Sequence, residues 1–161
     1  MFKIVRNLTG YLLLIILITG LLDWWRTKHV DFHDMPMTQG KAIDGAFVNV
    51  AELSRDKPVL VYFWATWCGV CSLTTPSIDI LSNHYEVVSI ALASGEDDRL
   101  LEYMKNNDYR FTVINDLEGS INQYWRAQVT PTIAIVKDGE IQSMTTGFST
   151  PWGLWLRLLL A

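Results

Sequence analysis

Cysteine is scarce in this chain: 161 residues carry two, and they stand together as Cys68-Gly69-Val70-Cys71. With that pair set aside, no thiol is left from which a structural disulfide could form within one chain. An excess of positive charge is also missing. The formal net charge is −4, and without Lys3 and Arg6 eleven basic residues face seventeen acidic ones. An acidic body without basic clusters argues against nucleic acid as a partner. There are no internal repeats or low-complexity tracts. Charge is absent altogether from Leu8 to Leu22, and no alanine precedes Ala42.

Those last two absences bear on the first segment. Its middle reads Leu12-Leu13-Leu14-Ile15-Ile16-Leu17-Ile18. As a helix, Leu8 to Leu22 is roughly 22 Å long, and Ile4 to Trp25 about 33 Å, against a hydrocarbon core of about 30 Å. The longer span is available if Arg6 snorkels and Asp23 reaches the interface. Trp24 and Trp25 then suit an aromatic belt. A cleaved signal peptide is the competing reading, because Lys3 and Arg6 ahead of an apolar run also suit one. It calls for small residues of Ala-x-Ala type, whereas the run ends Leu21-Leu22-Asp23-Trp24-Trp25. Residues 1–25 are therefore expected to form a retained membrane anchor. The flanking charges, Lys3 and Arg6 before and Arg26 and Lys28 after, nearly balance and do not orient it.

The chain that follows is 50% hydrophobic and 19% charged overall, enough for one packed domain. Residues 26–42, polar and punctuated by Pro36 and Gly40, are expected to be a linker, and 43–161 the domain. Ala46 to Val50 alternates and predicts an edge strand. Val59 to Trp64, Val87 to Leu92 and Thr132 to Val136 are β-rich apolar runs, the mark of strands buried on both faces. Helices are expected from Val70 to about His84 and from Asp97 to Asn106, with a short turn from Ser120 to Trp125. Lys137-Asp138-Gly139-Glu140 predicts a hairpin leading to a strand from Ile141 to Thr146. Thr150-Pro151 predicts the cap and first position of a closing helix through Leu160. This order implies an α/β sandwich around a mixed sheet flanked by helices.

Two cysteines three apart are either a redox pair or half of a metal site. Cys68 follows a buried strand and opens a helix. The nucleophile in disulfide exchange is a thiolate, and a helix N-terminus offers free N–H groups and about half a positive charge to stabilise it. Cys71, one turn on, shares its face and can attack a mixed disulfide formed at Cys68. The metal reading needs more ligands. His29 and His33 lie in the linker, with His84 elsewhere, and the buried strand separates the linker from the pair. His29, His33, Met35 and Met37 form a separate set of imidazoles and thioethers suited to copper(I), which gives a copper-handling or metal-binding module as an alternative function.

The segment Val61-Tyr62-Phe63-Trp64-Ala65-Thr66-Trp67-Cys68-Gly69-Val70-Cys71, with Pro76 beyond it, resembles the thioredoxin active-site segment. Val129-Thr130-Pro131-Thr132 is similar to the cis-proline loop of that fold. The anchor, the linker and Phe111-Thr112-Val113-Ile114-Asn115-Asp116 resemble the membrane-anchored TlpA/ResA branch, most closely the suppressor-of-copper-sensitivity protein D subgroup. The resemblance covers about residues 43–161, with the anchor and linker agreeing in layout. It implies a thioredoxin fold in which Cys68 attacks and Cys71 resolves. Trp67, Gly69 and Val70 would flank the sulfurs, Thr130 and Pro131 would lie against them, and Pro76 would kink the helix.

It further implies an oxidoreductase with no bound cofactor or metal, acting on protein thiols and disulfides and served by a membrane redox partner. The protein would be a single-pass one of the bacterial inner membrane, with the short N-terminus of residues 1–25 in the cytoplasm and its domain facing the periplasm. A cytochrome c maturation reductant is a further alternative. Three departures leave the direction of transfer open. Tyr62 stands where thioredoxin has a buried acid, Thr74 where haem-maturation relatives often have glutamate, and Gly69-Val70 lacks the proline of strongly reducing thioredoxins. Glu96, Asp97 and Asp98 fall at a strand end and are expected to be solvated. Trp64 is expected to be structural.

Overall fold

A computed structural model of the chain describes residues 39–161; the expected anchor over 1–25, most of the expected linker, and His29, His33, Met35 and Met37 lie outside them. Among the described residues no helix is long and apolar enough to cross a membrane.

The fold is organised around Val59–Trp64, a strand with every residue buried. Successive side chains of a strand point to opposite faces, so an unbroken apolar run serves two cores at once. Numbering elements in chain order, this run is β3, preceded by β1 (Gln39–Lys41), β2 (Phe47–Asn49) and α1 (Val50–Leu53). It is followed by α2 (Gly69–Ser82), β4 (Glu86–Leu92), α3 (Asp97–Asn106), β5 (Thr112–Asp116), α4 (Ser120–Tyr124), β6 (Thr132–Lys137), β7 (Glu140–Thr146) and α5 (Pro151–Leu160). The main sheet runs β5-β4-β3-β6-β7. β3 is parallel to β4, β4 to β5, and the β6–β7 hairpin is antiparallel. This is the expected mixed sheet. Asp138 and Gly139, both with positive φ, form the two-residue turn that matches strand twist.

The two faces of β3 build the two cores. Leu60, Tyr62 and Trp64 pack with Cys71, Ile78 and Leu81 of α2, Leu100 and Met104 of α3, and Leu154 and Leu158 of α5. Val59, Val61 and Phe63 pack with Val50, Trp125 and Ala127 on the opposite side. α5 starts where expected. Thr150 caps it, accepting from the Gly153 N–H at 3.2 Å, and Pro151 occupies a first-turn position whose N–H needs no partner.

Near its start the fold departs from expectation. Gln39–Lys41, inside the expected linker, pairs with Phe47–Asn49 as a separate two-stranded sheet. The strand expected over Ala46 to Val50 is thus shorter and lies off the main sheet. It stops at Asn49 because that side chain accepts from the Glu52 N–H at 3.2 Å and caps α1, in which Val50 is fully buried. The chain joins the main sheet through an isolated bridge from Ala42 to Ile114. β5 carries no strong period of its own and was not expected as a strand. It is one because β4 supplies a parallel ladder along Val88 to Leu92.

Candidate redox site

β3 ends at Trp64, and Ala65-Thr66-Trp67 turn the chain into α2. The Cys68 N–H closes the turn on the Ala65 carbonyl at 3.2 Å. Cys68 is the N-cap of α2, with extended backbone (φ −86°, ψ 107°) and its sulfur accepting from the Cys71 N–H at 3.2 Å. A serine or aspartate oxygen usually does this at a helix start. A thiolate formed here on reduction keeps that N–H and the positive end of the helix dipole.

Cys68 and Cys71 are disulfide-bonded, with Cα atoms 5.2 Å apart. Their surroundings differ sharply. Cys71 is 1% exposed, packed in the core under α2, whereas Cys68 is partly open. Gly69 and Val70 are exposed beside it, and a Cβ on Gly69 would meet nothing within 4 Å. Trp67, Cys68, Gly69, Val70 and Cys71 thus stand together at the start of α2, and Thr130, beside Pro131, comes to them from the loop before β6. The Thr130 carbonyl oxygen lies 3.6 Å from Cys68 Sγ, a contact that can become an S–H···O bond once the disulfide is reduced to thiols. The Thr130–Pro131 peptide bond is cis. Two bonds hold this loop: the Thr132 hydroxyl donates to the Val129 carbonyl at 2.6 Å, and the Gly147 N–H to the Pro131 carbonyl at 2.8 Å.

Trp67 is 63% exposed, yet its indole N–H donates to the Ala93 carbonyl at 3.1 Å. The Thr66 N–H donates to the Ser94 hydroxyl oxygen at 3.0 Å, and that hydroxyl donates to the Leu92 carbonyl. Ala93 has a left-handed φ of 42°. That is uncommon for a residue with a Cβ and marks a position held by its surroundings. Ala93 and Ser94 are the supporting residues that sequence reading missed. Their only signal was position, at the end of a buried strand just before Gly95.

Around Cys71, two of the three departures, Tyr62 and Thr74, are visible as geometry. The Thr75 hydroxyl donates to the Cys71 carbonyl at 2.8 Å, so the Tyr62 phenol, 2.9 Å from that hydroxyl, is the donor to it. Burial pushes the Tyr62 phenol well above its ordinary value near 10. Tyr62 is consequently a neutral donor, with no capacity to take the Cys71 proton near neutral pH. Thr74 is fully buried and donates to the Val70 carbonyl. Trp64 is structural: fully buried, stacked on Tyr62, its N–H given to Ser89 at 3.1 Å. Glu96, Asp97 and Asp98 are exposed, and Asp97 accepts from Asn115. Among the described residues no group of three or more His, Cys, Asp or Glu side chains is placed to hold a metal.

Chemically, the site can do one thing well. A Cys68 thiolate attacks a sulfur of a substrate disulfide, that S–S bond breaks, and the departing sulfur leaves as thiolate. Cys71 then attacks Cys68, restoring the internal disulfide and releasing a dithiol. The reverse sequence oxidises a dithiol.

A protein-family model described as Redoxin matches residues 33–151. A thioredoxin-like protein of Haemophilus influenzae is 38% identical over 160 residues, covering 99% of this chain and 95% of that one. The thiol-disulfide oxidoreductase ResA of Oceanobacillus iheyensis is 28% identical over 114 residues, covering 67% of this chain and 58% of its own. Among solved structures, the exposed lipoprotein thioredoxin Etrx1 of Streptococcus pneumoniae superposes with a TM-score of 0.69 at 20% identity. That match covers 78% of this chain and all of the other, a likeness of fold.

Proposed function

The chain belongs to the Redoxin family, and from that premise we propose that it is a membrane-anchored enzyme exchanging disulfides in periplasmic proteins. Its chemistry is that of a thioredoxin-like disulfide oxidoreductase. The finer reading places residues 1–25 in the bacterial inner membrane and the Cys68–Cys71 domain in the periplasm, recharged by a membrane redox partner. Within the family it is assigned to the TlpA/ResA branch and the suppressor-of-copper-sensitivity protein D subgroup. What supports the anchor is the uncharged run Leu8 to Leu22 without an Ala-x-Ala ending, and the periplasmic side rests on the resemblance to the TlpA/ResA branch. The direction of exchange follows the relative potentials of the pair and its partners.

One observation carries the enzymatic reading: the two sulfurs of a single helical turn differ in access, Cys68 open beside Thr130 and Cys71 buried. Access decides which sulfur a substrate reaches. A Cys71→Ala variant is expected to accumulate mixed disulfides with its substrates, because no second thiol releases them. A Cys68→Ala variant, though it keeps one thiol, is expected to trap almost none. Non-reducing gels of the two variants check this, and equal trapping would overturn the division of roles. Anchoring has its own check. The full chain should stay with membranes through carbonate extraction, and a soluble form beginning near Asp23 would show a cleaved signal peptide instead.

A further inference from the structure

The last helix has an apolar face that the other described residues leave largely exposed. Leu154 and Leu158 of α5 are buried in the core, as one stripe of an amphipathic helix should be. The opposite side of such a helix is ordinarily polar. Here Trp152, Trp155, Leu156, Leu159 and Leu160 are 77%, 42%, 51%, 54% and 80% exposed. At about 100° per residue these five side chains fall within one continuous arc of roughly 140°. Pro151, Trp152 and Trp155 also line an open groove of about 700 Å³ against Ile80, Leu81, His84 and Tyr85, at the C-terminal end of α2. Ile80 is itself 60% exposed. Twelve residues of helix, roughly 18 Å, separate this groove from Cys68. It is therefore not part of the redox site.

We propose that this face of α5 rests on the lipid bilayer, an inference that depends on the anchoring reading above. Three observations choose lipid as the occupant. α5 contains no acidic residue, and two tryptophans stand among its exposed leucines, the mixture that seats helices at the boundary between headgroups and acyl chains. The uncharged run Leu8 to Leu22 ends well before β1 starts at Gln39. Fully extended, the chain from Trp25 to Gln39 reaches at most about 50 Å. A tether of that length holds the domain near the bilayer at an effective concentration of order millimolar, so even a weakly binding apolar face is occupied. Charge decides the kind of contact. Residues 39–161 carry nine basic and fourteen acidic side chains. Anionic lipid does not attract such a body. Apolar burial drives the contact, and it turns the far end of α2, not the sulfurs, toward the membrane.

The test uses the full chain in phosphatidylcholine vesicles, with photo-crosslinking benzoylphenylalanine in place of Leu156, Leu159 or, as a control, the exposed Leu117 after β5. All three positions lie outside the core, so the fold tolerates the probe. Lipid adducts on the 151–161 peptide are expected at least fivefold above those at Leu117. The yield should hold as salt goes from roughly 0.05 to 0.5 M, because phosphatidylcholine has no net charge and apolar burial is not screened. Equal yields at the three positions, or cross-links from Leu156 and Leu159 to a second protein chain, would overturn the proposal. Flotation of the vesicles is read first. A chain that fails to float refutes the anchor itself, whereas one that floats without lipid adducts on α5 refutes only the docking.

Discussion

The first turn of α2 has two sides, and they are built on opposite rules. On the outer side, Cys68 is partly open and Trp67 and Val70 are exposed, and their order comes from backbone: the Thr130 carbonyl beside the sulfur, the Ala93 carbonyl under the indole. On the inner side, Cys71, Thr75, Tyr62 and Trp64 are buried, ordered by packing and by hydrogen bonds among side chains. The outer side must admit a partner sulfur and so holds few side chains rigidly. The inner side must keep one sulfur at a fixed distance from the other, and it pins the helix to the sheet to do so. Substitutions should therefore separate stability from exchange.

The largest effect on stability is expected inside. Trp64→Ala removes a fully buried indole that stacks on Tyr62 and gives its N–H to Ser89, and a loss of about 3–5 kcal/mol is expected from such a truncation. Denaturant titration of the oxidised protein measures it; a loss under about 1 kcal/mol would show that the inner side is not what pins α2.

Tyr62→Phe is a gentler cut. It deletes the phenol bonded to Thr75 and should cost about 1 kcal/mol near neutral pH. Above pH ~10 the comparison should narrow. Burial raises the Tyr62 phenol in the folded state, so the unfolded chain ionises first and stability falls as pH climbs past that value. Phenylalanine has no proton to lose. Alkaline unfolding that is identical in the two proteins would mean Tyr62 contributes no such linkage.

Outside, the effects on stability should be small and those on exchange large. Val129→Ala, at a 60% exposed position in the loop before Pro131, should change stability by no more than about 0.5 kcal/mol. Exchange with a protein disulfide should slow several-fold, while reaction of reduced Cys68 with a small alkylating reagent should stay unchanged. A fall in both rates would place Val129 in the ordering of the sulfur instead of the reception of a substrate. Gly69→Ala should do least of all, since its Cβ would meet nothing and φ there is ordinary for a helix. Thermal denaturation should show a shift of less than about 2 °C in either direction.

Much of this was legible in the sequence where a local rule spoke alone. β3 could be read from six consecutive apolar residues, and α5 from Thr150-Pro151, because caps and periods are written in neighbours along the chain. β5 could not, since its strand character is supplied by β4, and neither could the left-handed Ala93, whose carbonyl holds Trp67. The beginning of the domain departs from its sequence pattern for a related reason. Val50 completes an alternating pattern, but the side chain of Asn49 redirects the backbone into α1.

By itself, then, the sequence determined which atoms carry the chemistry. Two cysteines, one turn apart at a strand-to-helix junction, leave no other pair to choose. Tertiary structure alone decided how those two sulfurs differ. Access and hydrogen bonding depend on groups distant in the chain, Thr130 sixty-two residues from Cys68 and Tyr62 bonded to Thr75 thirteen residues on. Folding the sheet is what brings a carbonyl to one sulfur and closes a core over the other.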